Sequence, residues 1–167
     1  MVNIKKMVSL SFFLCISLII HYAESLLPPL IPIPGVKMGL ANVITLILCF
    51  FYGKKEAFCV LMLRVLIASL FFGGVMPFLY SPAGGLSAFL VIALFMGNRK
   101  NIWSVSALSA FMHNAGQVAL AVFLTKTPFL WWYLFPISVS GIISGIFTGL
   151  IASVITGNKN IQKLFFS

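Results

Sequence analysis

The sequence predicts an all-α integral membrane protein, a bundle of six transmembrane helices with no soluble domain. Three observations carry this. The 167 residues are 61% hydrophobic and 8% charged, with a mean hydropathy of +1.13, whereas a soluble domain carries roughly 25% charged residues. Such a chain has too few polar groups to cover a water-facing surface, so lipid is its solvent. Its positive charge is also patterned. Eight of the eleven Lys and Arg residues fall in four short gaps between apolar stretches, as Lys5 with Lys6, Lys54 with Lys55, Arg99 with Lys100, and Lys159 with Lys163. The alternate gaps hold only Lys37 and Lys126. Positive charge marks cytoplasmic loops. The count predicts an even number of passes through the cell membrane with the N and C termini both cytoplasmic.

The first helix is expected at about 7–24. Its apolar run is long for the roughly 7–15 residues of a signal-peptide core, and the flank at Ala23 is a poor cleavage site, so it reads as a retained span. The stretch LLPPLIPIPGVK at 26–37 follows, with four prolines in seven positions and no charge before Lys37. Proline stiffens it and blocks helix. The second, third and fourth helices are expected at about 38–52, 57–72 and 81–97. They are short against the roughly 20 residues of a span, a deficit that snorkelling Lys and Arg reduce. Between the third and fourth lies GGVMPFLYSPAGG at 73–85, uncharged and rich in Gly and Pro. The fifth helix, 102–125, is long enough to tilt. The sixth, 129–156, contains Pro136; it kinks there or begins in the interface at Trp131, Trp132 and Tyr133. Residues 1–167 thus form one transmembrane domain with outer loops at about 25–37 and 73–81. These loops either dip into the interface or close over a pocket from outside.

An ionisable side chain at mid-bilayer costs at least about 2.5–3.5 kcal/mol, which makes it a site candidate. Arg64, in AFCVLMLRVLIASLFF, is the clearest case. It is either an anchor to backbone carbonyls or lipid, or a ligand for an anionic or polar solute. His113, Asn114 and Gln117 cluster in the fifth helix, with 113 and 117 one turn apart on one face. Polar groups there avoid lipid. They either tie helices together or line a cavity, and three together flanked by Ala115 and Gly116 favour the cavity. Asn42 and Thr45 share a face near the start of the second helix, close to Lys37. Glu24, the one acid on the outer side, either pairs with Lys37 or binds a substrate amine. Glu56 sits with Lys54 and Lys55 as a solvated ion pair. Gly141, Gly145, Gly149 and Ser153, spaced four apart, leave one face of the sixth helix almost bare, for packing within the bundle or for docking another membrane subunit.

Several classes are excluded. Two acids cannot build a multi-carboxylate Mg²⁺ site, and there is no P-loop. His21 and His113 stand apart with no Cys or acid beside them, which is no zinc site. Cys15, Cys49 and Cys59 lie in apolar runs and read as small packing residues. No nucleophile–base arrangement is present. The expectation is a non-enzyme with no metal and no cofactor. The positive-inside rule accounts for the net charge of +9, so no nucleic-acid partner is expected.

The segments PIPGVKMGLANVITL, YSPAGGLSAFLV and MHNAGQVALA resemble the bacterial Gx transporter family, often labelled heptaprenyl diphosphate synthase component I; the resemblance covers about 26–155. That family is similar to the substrate-binding (S) subunits of energy-coupling factor (ECF) transporters, six-helix proteins with cytoplasmic termini. The resemblance implies a lid at 26–37 and a pocket lined by Lys37, Asn42, Arg64, His113, Asn114 and Gln117. It implies as partners a small solute, membrane lipid, a transmembrane coupling subunit and two ATPase subunits. The first helix has Ser11 and Cys15 where such subunits carry an Ala-x-x-x-Ala pair. The expected function is the S subunit of an importer for a small polar or anionic solute. The alternative is a membrane accessory component of heptaprenyl diphosphate synthesis. Prenyl transfer needs Mg²⁺ on clustered aspartates, and this chain has no aspartate, so the label would describe a partner of the catalyst.

Overall fold

The computed structural model describes residues 4–26, 40–73, 75–97 and 101–166, with backbone alone at 72–78 and 164–166. All regular structure among them is helical: α1 (Ile4–Leu26), α2 (Asn42–Phe51), α3 (Lys54–Ala68), α4 (Val75–Phe95), α5 (Ile102–Thr125), α6 (Leu134–Gly157) and α7 (Lys159–Phe166). A π-helical turn (Ser69–Gly73) prolongs α3, and a 3-10 turn (Pro128–Tyr133) precedes α6. Among the described residues, α1, α5 and the 3-10 turn continued by α6 are long and apolar enough to cross a bilayer. Their outward faces stay apolar: Phe123 is 77% exposed, Phe135 76% and Leu94 76%. Water would not tolerate such a surface, and lipid requires it. The chain is a membrane-associated helical protein.

The middle of the fold is α2. Every residue from Val43 to Cys49 is buried, and Leu46, Ile47 and Leu48 are almost wholly enclosed. A helix that is apolar all round belongs inside other helices, and α1, α3, α4 and α6 all touch it. Phe13, Ala57, Val60, Ile92, Ile102 and Ala152 complete this core. It fills the end of the bundle that carries Lys54 and Lys55. Gly53 turns the chain from α2 into α3 at φ 101° and ψ 175°, a region open essentially to glycine. Beside it Lys6 of α1 reaches the Glu56 carboxylate. Glu56 is thus paired across helices, and not only with the neighbouring lysines. Of the cysteines, Cys49 is in the core, whereas Cys15 and Cys59 are exposed.

Three element boundaries differ from expectation. The fourth helix starts at Val75, six residues before the expected Ser81, so most of the expected second outer loop is helical. Pro77 falls in its first turn, where a missing N–H breaks no bond, and Pro82 is carried inside the helix. Pro136 likewise falls in the first turn of α6, so the aromatic cluster forms the separate 3-10 turn and α6 need not kink. The short α7 after Asn158 was not expected; Gln162 Nε2 donates to the Thr156 carbonyl at 2.7 Å and ties it back to α6.

The α5–α6 seam is built on the bare face of α6. A β-carbon on Gly149 would stand 2.5 Å from the Trp103 Cα, and one on Gly145 2.9 Å from the Ala107 Cα. A β-carbon on Gly141 would meet the Asn114 amide. The three glycines are therefore used within the chain, against α5. Ser153 donates to the Leu150 carbonyl of its own helix at 2.7 Å. Ser106 and Thr148 bond across the seam at 3.1 Å, a polar tie of the kind that joins helices in lipid.

Candidate functional site

A cavity of about 50 Å³ lies at the end of the bundle opposite Lys54 and Lys55, where five helices converge. The last turns of α1 bring His21 and Glu24, three residues apart and so on one face. The start of α2 brings Ala41 and Asn42. From α3 come Arg64, Val65 and Ala68, from α4 Ser81, and from α5 His113 and Gln117, one turn apart. Ten residues separate Lys54 from Arg64, so the guanidinium's backbone lies about 15 Å along α3.

Arg64 is the centre of the polar wall. It is 6% exposed. Its Nη2 donates to Asn42 Oδ1 at 3.1 Å, and Glu24, 7% exposed, acts on it electrostatically. Its Nη1 is buried with no partner among the described residues. A buried charge needs such partners, because an uncompensated one is strongly destabilising. His113 is seated against Gly84 of α4 and hydrogen-bonds its backbone. A β-carbon on Gly84 would come within 2.9 Å of the His113 ring and 2.8 Å of Gln117 Cγ, so glycine makes room for both. The His113 Nδ1 is also buried without a partner among the described residues.

Four of the six residues proposed from the sequence thus meet at one cavity: Asn42, Arg64, His113 and Gln117. Asn114 does not join them. It points to α6, where its Nδ2 donates to the Ile137 carbonyl at 2.9 Å. One residue further along a helix is a rotation of about 100°, which carries it to another neighbour. Lys37 and the 27–37 stretch lie outside the described residues. His21 and Ser81 were not singled out, and Glu24 was left open between two roles. The i,i+3 spacing of His21 and Glu24 was the available signal. Among the described residues no group of three His, Cys, Asp or Glu side chains stands ready to hold a metal.

A family model described as heptaprenyl diphosphate synthase component I matches residues 13–155. The chain belongs to that family. No curated protein matches the chain, and no solved structure does. The matched region runs from Phe13 of α1 to Ile155 of α6, so it takes in every lining residue of the cavity. The family's description implies a partner component.

Proposed function

We propose that the chain captures a small polar or anionic solute in the cavity and serves as the substrate-binding subunit of an ECF-type importer. In this reading six helices cross the membrane with both termini cytoplasmic, as the lysine pattern supports, and the cavity opens to the outer side. The chain itself is not an enzyme. A transmembrane coupling subunit and two ATPases would supply the energy. The observation that carries the reading is Arg64: a buried cation facing a cavity, with one guanidinium nitrogen held by Asn42 and the other unpartnered among the described residues. A purely structural arginine would be expected to spend both nitrogens on the protein.

The family's description favours a second reading, an accessory membrane component of polyprenyl diphosphate synthesis. There Arg64 would contact a diphosphate.

Affinity purification of the tagged chain from its native membrane in mild detergent, with mass spectrometry of what comes with it, tests both. Two ATPases and a coupling subunit are the expected partners. Recovery of a soluble prenyl synthase, with synthase activity that depends on this chain, would establish the accessory reading instead. Arg64→Ala should abolish uptake while the protein still inserts. Loss of the folded protein would return Arg64 to a structural role.

A further inference from the structure

We infer that α7 lies along the membrane surface at the end of the bundle that carries Lys54 and Lys55, and that Lys159 and Lys163 bind the phosphate groups of anionic phospholipids there. The inference holds under either reading of function. α7 is a helix in its own right. Asn158 leaves the helical conformation at φ −80° and ψ 113°, and its Oδ1 accepts the Asn160 N–H at 2.9 Å. That is an N-cap, and the Gln162 N–H bonds the Asn158 carbonyl at 3.1 Å to close the first turn. The position of α6 sets the level of α7. Ala152 of α6 packs in the same core as Ala57 of α3, so both helices reach this end. Val154, apolar and 72% exposed, comes five residues before Lys159. That is about 7.5 Å along the helix, so α7 starts where the hydrocarbon gives way to headgroups.

Register gives α7 two faces. Ile161, Leu164 and Phe165 stand at i, i+3 and i+4 on one, and Lys159 and Lys163 stand one turn apart on the other. Phe166, at the end of α7, falls on the lysine side. Lys159, Asn160 and Lys163 are exposed, and Ile161 is half-buried. The Gln162 bond to the Thr156 carbonyl keeps the helix beside α6. An apolar face set against lysines is the make-up of helices that lie in the membrane interface. Charge identifies what covers the lysines. Like charges one turn apart repel. Among the described residues no acidic side chain relieves them, since Lys6 holds Glu56 and Glu24 borders the cavity at the opposite end. Lys54 and Lys55, both exposed at the same end, strengthen the positive field. Anionic headgroups supply the missing charge, and each lysine near such a surface is attracted to it. An acidic protein would answer the charge alone. A lipid surface also takes the face of Ile161, Leu164 and Phe165.

The test is hydrogen–deuterium exchange, read by mass spectrometry, on the full chain in two kinds of lipid nanodisc. One is phosphatidylcholine alone, the other an equimolar mixture of phosphatidylcholine and phosphatidylglycerol. The α7 amides should exchange about tenfold more slowly in the anionic discs, while those of α5 stay unchanged. Replacing both lysines, Lys159→Gln with Lys163→Gln, should remove most of that difference. Both side chains are exposed, so the bundle should keep its own protection. The comparison of discs on the unmodified chain stands whether or not the variant folds. Equal α7 exchange in the two discs would overturn the inference. So would slowing that survives both substitutions. Slowing seen in native membranes and in neither disc would overturn it too, and would assign the lysines to an acidic protein partner.

Discussion

Arg64 Nη2 donates to Asn42 Oδ1 at 3.1 Å, and this bond ties the middle of α3 to the first residue of α2. Removing the acceptor leaves a buried cationic donor unsatisfied. Asn42→Ala should lower stability in mild detergent by about 1–3 kcal/mol. Asn42→Asp keeps the acceptor and adds charge, so it should melt at or above the parent. Equal melting of the parent and Asn42→Ala would show that the bond carries no stability.

Two glycines in the α4–α5 seam should fail differently. A β-carbon on Gly116 would stand 2.8 Å from the Ala83 carbonyl and closer still to Ser87 Oγ. Backbone has to move, so Gly116→Ala should cost about 1–3 kcal/mol. On Gly84 the clash is with the His113 ring and Gln117 side chain. Gly84→Ala should therefore disturb solute binding more than melting. Thermal denaturation and calorimetry on both variants give the comparison, and the same order of effects in both would contradict it.

Along α6 the small residues are not equivalent. Gly149→Ala places an atom 2.5 Å from the Trp103 Cα and should open the seam at a cost of about 1–3 kcal/mol. Among the described residues the Ser153 hydroxyl bonds within its own helix, so Ser153→Ala should stay within about 0.5 kcal/mol. A marked loss at Ser153 with none at Gly149 would place the working face elsewhere on the helix.

Glu56 lies ahead of the apolar stretch that begins at Ala57. Its hydrogen bond to Lys6 holds the carboxyl below its ordinary range. The sign follows: the folded form favours the carboxylate, so this contribution is full above the ordinary carboxylate range and is lost as pH falls through the lowered value. The melting difference between the parent and Glu56→Gln should shrink on acidification. A difference independent of pH would remove the ion pair from the account.

Much of the cavity was legible in the sequence, because a polar residue in an apolar helix stands out. Arg64, His113, Gln117 and Asn42 were found that way. Asn114 stood out equally and went to a different neighbour, since which face of a helix meets which partner is fixed by packing and not by composition. His21 and Glu24 were less visible because they sit near a helix end, where polarity is unremarkable. The start of α4 was misjudged for a related reason. Gly and Pro usually punctuate helices, yet Pro77 falls where the first turn has no bond to lose. The close approaches at Gly84 and Gly116 depend on the angle between two helices, which no single segment records.

The brevity of α2 bears on how the chain enters the membrane. Ten residues of helix reach about 15 Å, half of a hydrocarbon core of about 30 Å. Alone, α2 is a poor substrate for the insertion machinery, and with Arg64 in it α3 is hardly better. Joined at Gly53, the two should insert together as a hairpin. Glycosylation mapping of truncations ended after Tyr52 and after Gly73 distinguishes the two routes. If the hairpin route holds, the most enclosed of the described helices reaches its place only in company with α3.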